Sequence, residues 1–154
     1  MTSERSVTHA TFVIERLYDA LPARVFGAFA DPAIKARWFS GDEAPTSDYS
    51  LDFRVGGREY SRGEMPDGPA VVYDARFEDI VPDQRIVTTY VMYMSEVRIS
   101  VSVATVELTP RGRRTQLVYT EQGAYLDGLD SPAQREHGTG ELLNALGKVV
   151  EGTR

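Results

Sequence analysis

Two glutamates and two histidines are where acid–base chemistry in this chain would begin. Glu59 follows the glycine pair in FRVGGREY, and Glu121 lies in TQLVYTEQ. Both stretches read as strands, and both carboxylates face the interior if the strand parity holds. A carboxylate held inside must find a partner or take up a proton. Arg58, Arg62, Arg76 and Tyr73 are candidate partners. Such a group would anchor a ligand's polar head or serve as a general base. The plainer alternative, a buried structural pair or a charge at a rim, is favoured. His9 opens the first strand and His137 the last helix. Two histidines this far apart, without a patterned carboxylate, make a poor metal site, so no metal and no cofactor are expected. His137 as a general base is weighed against a surface histidine at a helix start, which is the commoner case. A nucleophile elbow, a dinucleotide fingerprint and a phosphate-binding loop are all missing; GTGELLNALG follows no strand and lacks the lysine.

The chain that must position these groups has 154 residues, enough for one domain, 1-154, with a sizeable core. A hydrophobic fraction of 42% marks a folded chain rather than a disordered one. The net charge of −6 opposes nucleic-acid binding. With no cysteine, disulfides, thiolate metal sites and a cysteine nucleophile are excluded. The N-terminus shows neither a long apolar core nor a cleavage site, and no apolar run is long enough to cross a membrane. The expected setting is therefore the cytoplasm, with no membrane partner.

Residues 9–17 read as a strand rich in β-branched side chains. Pro22 opens a short helix, PARVFGAFA, with Val25, Phe26 and Phe29 as its buried stripe. Asp31 caps a second, PAIKARWF. A polar loop from Gly41 to Asp48 follows and could act as a lid. Six strands come next: YSLDFRV, REYSRGEM, VVYDARFEDI, RIVTTYVMYM, VRISVSVATVEL and TQLVYTEQ. Turns at Gly56-Gly57, Pro66-Asp67-Gly68, Val81-Pro82-Asp83, Ser95-Glu96 and Pro110-Arg111-Gly112 separate them. Ser131-Pro132 starts a final helix whose apolar residues Leu142, Leu143, Leu146, Val149 and Val150 recur at helical spacing, although Gly138, Gly140 and Gly147 weaken it. One strand, two short helices, six strands and one long helix describe an α+β domain.

This order, with the stretches ADPAIKARWF, FRVGGRE, FEDIVPDQRIVTTY, ATVELTPRGRRTQLVYTEQG and REHGTGELLNALG, resembles the START-like superfamily, also called the polyketide cyclase, dehydrase and lipid-transport superfamily. Within it, the chain looks most like bacterial homologues of the activator of the 90-kDa heat-shock protein ATPase. The resemblance spans nearly the whole chain and implies a helix-grip fold: a curved antiparallel sheet wrapped around a long C-terminal helix, with a cavity between. Family members often carry an aromatic residue after the R-x-G-G-R turn, where this chain has Glu59.

The resemblance places Tyr90 and Met92 inward, with Phe53, Tyr73, Phe77, Leu117, Tyr119 and the helix residues Leu143 and Leu146 as their partners. Glu59 and Glu121 join that set, and Trp38 is either a core anchor or the cavity lip. Methionine and tyrosine suit an adaptable pocket, and the alternative is a solid core. On the outer face, Val87, Thr89, Val91 and Tyr93 would form an apolar patch with the valines of VRISVSVATVEL if those face out, which would suit a homodimer contact. A bulge expected near Ala104-Thr105-Val106 leaves that parity open.

The first expectation for function is noncatalytic binding of a small hydrophobic or amphipathic ligand. The second is a cyclase or hydratase acting on an aromatic polyketide-like substrate, with Glu59 and Tyr73 or His137 as acid and base. The third is a chaperone-activator-like partner module, although the resemblance implies a further chaperone-binding domain for which this chain has no room.

Overall fold

The structure is a computed structural model that describes residues 5–39, 46–64 and 68–152. Strand β1 (Val7–Tyr18) is followed by helices α1 (Pro22–Ala30) and α2 (Pro32–Phe39). Strands β2 (Thr46–Leu51), β3 (Arg58–Glu64), β4 (Ala70–Val81), β5 (Arg85–Met94), β6 (Val97–Arg111) and β7 (Arg114–Leu126) come next, and helix α3 (Pro132–Gly152) closes the chain. The strands form one antiparallel sheet in the order β1-β7-β6-β5-β4-β3-β2. This is the helix-grip fold, with α3 lying against β1, α1 and α2.

Local chemistry explains the boundaries. Pro22 stands in the first turn of α1, where its missing N–H costs nothing. The Asp31 carboxylate accepts from the backbone N–H of Ala33 at 2.9 Å, capping α2. The Ser131 hydroxyl does the same for Gln134 at 3.1 Å, and Pro132 begins α3. The turn before β3 requires glycine twice: Gly56 has φ +83°, and a Cβ on Gly57 would sit 2.0 Å from the Asp52 carbonyl oxygen. β5 and β6 are joined by Ser95 and Glu96 alone, both at positive φ, as a two-residue hairpin with matching twist requires.

Four expectations change. The segment after Leu51 leaves the sheet, so β2 is shorter than YSLDFRV. The last hairpin turns at Gly112 and Arg113, and Pro110 and Arg111 stay in β6. The β6 irregularity lies opposite Met92 and Tyr93, where Ile99 is the extra residue, and not at Ala104. Beyond it Ser100 and Ser102 are buried while Val101 and Val103 are exposed, so the parity that was left open resolves with these valines outward. Finally, α3 runs unbroken through Gly138, Gly140 and Gly147. Gly147 has a packing reason: a Cβ there would meet the Tyr18 ring at 3.0 Å, and Tyr18 donates to the Leu143 carbonyl at 2.7 Å. The Pro66-Asp67-Gly68 turn and the lid expected from Gly41 to Asp48 fall largely outside the described residues; Thr46 to Asp48 belong to β2.

The main core joins Phe12, Ile14, Val25, Phe29, Phe77, Ile86, Val106, Leu117, Leu143 and Leu146. Beside it, space is left between the sheet, α2 and α3.

Candidate functional site

The register fixes which side chains look onto the concave face. One row across the sheet runs Gly123, Ser102, Tyr90, Ala75 and Glu59; the next runs Glu121, Ala104, Thr88 and Phe77; another runs Tyr125, Ser100, Met92, Tyr73 and Ser61. Small residues in the β6 positions, Ser100, Ser102 and Ala104, leave room where a larger side chain would fill the bend. The result is a cavity of about 550 Å³ between the sheet, α2 and α3, a size ordinary for small-molecule sites.

At one end of the cavity, Lys35 of α2 and Glu59 of β3 form an ion pair. The Lys35 Nζ lies 3.1 Å from both Glu59 oxygens, and the two side chains are 6% and 1% exposed. The Tyr49 hydroxyl of β2 donates to Glu59 Oε2 at 2.7 Å. The Lys35 ammonium also stands 4.4 Å from the Phe39 ring centroid, with the Phe29 and Trp38 rings on its other sides. Aromatic faces therefore complete the shell that water would otherwise supply. Burial first, and then the Glu59 charge beside it, push the Tyr49 hydroxyl far above its usual range.

At the other end, Glu121 is fully buried. Its oxygens accept from Tyr90 at 2.8 and 2.9 Å and from Tyr119 at 2.7 Å. Arg135, one helical turn into α3, donates through Nη1 to the Tyr90 oxygen at 2.9 Å and to Glu121 at 3.4 Å. Through Nη2 it reaches Ser100 Oγ and Asp130, each at 2.7 Å. Burial raises the Tyr90 hydroxyl, the Glu121 charge adds to the rise, and Arg135 opposes it. Tyr119 is raised by burial first and by Tyr90 and Glu121 next. Burial alone would lower Arg135, but Tyr90, Glu121 and Asp130 outweigh it, so the guanidinium stays charged. Beside this cluster the Ser102 and Tyr125 hydroxyls are buried with no hydrogen-bond partner within 3.5 Å among the described residues.

Tyr73 lies between the ends. Its ring tilts against Tyr90 at 4.7 Å and meets Phe39 edge-on at 5.0 Å. Burial, then the Glu59 charge, hold its hydroxyl well above the usual value, so it stays protonated and able to donate.

The profile of the Activator of Hsp90 ATPase homolog 1-like protein family matches residues 19–151. The chain belongs to this family. Among solved structures it is similar to the Mll3558 protein from Rhizobium loti, at 54% identity over 94% of this chain and 99% of that one, with a TM-score of 0.87. A putative uncharacterized protein from Rhizobium leguminosarum is 41% identical over 98% of this chain and 100% of its own, with a TM-score of 0.94. Protein CV1439 from Chromobacterium violaceum, at 24% identity over 92% and 96% of the two chains, shares the fold with a TM-score of 0.79. No curated protein matches the chain.

Within this member of the family, the candidate residues divide. Trp38, Glu59, Tyr73, Phe77, Tyr90, Met92, Tyr119 and Leu143 line the cavity. Trp38 is both anchor and wall: it is 3% exposed, and its indole N–H donates to the Ala28 carbonyl at 3.0 Å. Glu121 stands behind the wall and reaches the cavity through the tyrosines it holds. Like Glu121, three further candidates do not line it. Leu117 and Leu146 are completely buried in the core, and Phe53 packs behind the wall, edge-on to Phe26 and Phe77.

The arginines considered as carboxylate partners lie elsewhere. Arg58 pairs with Asp74 on the outer face at 2.8 Å, Arg62 bonds Glu64, and Arg76 reaches the Gly56 carbonyl. Strand alternation explains the miss, since Arg58 and Glu59 are neighbours and must point to opposite faces. His137 is 79% exposed, 3.8 Å from Glu141, and away from the cavity, so it supplies no acid or base there. Among the described residues, no cluster of three metal-ligating side chains occurs, and no helix is long and apolar enough to cross a membrane.

Lys35 and Arg135 are the partners that sequence reasoning missed. A signal for each was present. Lys35 precedes Trp38 by three residues on one helical face, and Arg135 continues backward the spacing of Thr139, Leu142 and Leu143.

Proposed function

We propose that this chain is a noncatalytic binding protein for a small, largely apolar molecule held between the sheet and α3. The observation that carries the reading is the cavity itself: about 550 Å³ walled by Trp38, Phe39, Tyr73, Tyr90, Met92 and Leu143. A core under selection for packing alone would be filled to the density of an organic crystal. The carboxylates support binding over catalysis. Glu59 accepts from Lys35 and Tyr49, and Glu121 accepts from two tyrosines and Arg135. Neither offers the unencumbered oxygen that a general base needs within reach of a substrate proton.

Titration with Nile red, a neutral fluorescent probe, tests this. Saturable single-site binding with blue-shifted emission is expected, because the walls are largely apolar and aromatic. Emission that rises without saturation, or not at all, would contradict the proposal.

A further inference from the structure

We infer that the cavity selects uncharged aromatic molecules bearing a hydroxyl or carbonyl group, and rejects carboxylates and phosphates of the same shape. The inference rests on the binding reading above and adds the chemical class of the ligand. Its basis is the balance of charge around the cavity. Among the described residues two cations face it, Lys35 and Arg135. Lys35 is held by both oxygens of Glu59. Arg135 is spread over Tyr90, Glu121, Ser100 and Asp130. Against these two cations stand three carboxylates, Glu59, Glu121 and Asp130, which leaves one net negative charge.

An entering anion would therefore shed its hydration without meeting an unpaired cation, and it would approach a negative surround. A neutral ligand avoids both costs. The Tyr73 hydroxyl has no partner among the described residues and borders the cavity midway between the two ion-paired ends. It can donate to a carbonyl or hydroxyl oxygen. Ser61, Thr88 and Thr139 add further hydroxyls to the lining. The tilted Tyr73 and Tyr90 rings and the Phe39 edge offer the offset and edge-on geometries that a bound ring prefers.

The test is displacement of Nile red by naphthol and by naphthoate at neutral pH, two rings of one shape that differ in charge. Naphthol should displace the probe, and naphthoate should be weaker by about tenfold or more, a factor worth about 1.4 kcal/mol. Glu59→Gln leaves the Lys35 charge without its counter-ion and should narrow the gap by strengthening naphthoate. Asp130→Asn, at the more exposed end of the cavity, should do the same through Arg135 and keeps the test open if the first variant does not fold. Naphthoate binding as well as naphthol to the unaltered protein would overturn the inference while leaving the binding reading intact. So would a gap that neither variant changes. A protein that binds no Nile red would remove both.

Discussion

The two buried carboxylates solve one problem in two ways. Glu59 has a single cation, Lys35, supplied by a short helix, and a single tyrosine, Tyr49, from the edge strand β2. Glu121 sits on β7, next to the opposite edge strand, takes hydrogen bonds from two tyrosines, and shares Arg135 with Asp130. The first arrangement leaves a buried charge without a counter-charge when either Lys35 or Glu59 is lost. The second is a network in which each member keeps other partners. One carboxylate therefore ties α2 to the sheet edge, while the other spreads its charge over the floor of the cavity and the first turns of α3.

The largest consequence of that difference should follow from Lys35→Met. It leaves a carboxylate that is 1% exposed without a counter-charge, a loss of about 3–5 kcal/mol for broken buried pairs, read as a lower urea midpoint. The double variant Lys35→Met, Glu59→Leu should recover most of it, because no charge is then left unpaired. Glu121→Gln should cost less, about 1–3 kcal/mol, since Arg135 retains Asp130 and Ser100. If Glu121→Gln proves the more damaging, the network is the fragile end and the comparison is reversed.

Alkaline pH probes both ends together. Tyr49, Tyr73, Tyr90 and Tyr119 all have hydroxyls raised above the ordinary value of 10.0. A tyrosine raised in the folded state stays protonated where the unfolded one has already ionised. Its contribution is therefore whole below pH 10 and is lost as pH climbs from there toward the folded-state value. Each such group steepens the fall by about 1.4 kcal/mol per pH unit. Tyrosinate absorbance should rise together with loss of structure, in one transition above pH 10. Ionisation of these tyrosines while the fold persists would contradict their burial.

The smallest effect belongs to the outer face. Arg58→Ala removes an ion pair with Asp74 whose side chains are 57% and 33% exposed. It should change stability by no more than about 1 kcal/mol and leave probe binding unaltered.

Much of the fold was legible because local signals agreed. Pro22, Asp31 and Ser131-Pro132 mark the helix starts where the structure has them, and the order of strands and helices stands as read. The inward placement of Tyr73, Phe77, Tyr90 and Met92 came from the family resemblance, and the strand register agrees with it. What stayed hidden depends on distance in sequence. The Lys35–Glu59 pair spans 24 residues and the Arg135–Tyr90 contact 45, so no local pattern joins them. The β6 bulge was misplaced because Ile99 and its neighbours Ser100 and Val101 carry no proline or glycine to mark it. Leu117 and Leu146 share their faces with true wall residues. Only the closing of the grip at that end of the sheet decides that they are core.

The central claim is that a small neutral ligand sits between the sheet and α3, and the methionine methyl groups report on it most directly. The chain has four methionines, and Met92 lines the cavity. In a spectrum of isotope-labelled methionine methyls titrated with naphthol, the Met92 signal should move by ring-current shift and show contacts to the naphthol protons. A Met92 signal that holds still while naphthol binds would put the ligand elsewhere and contradict the account.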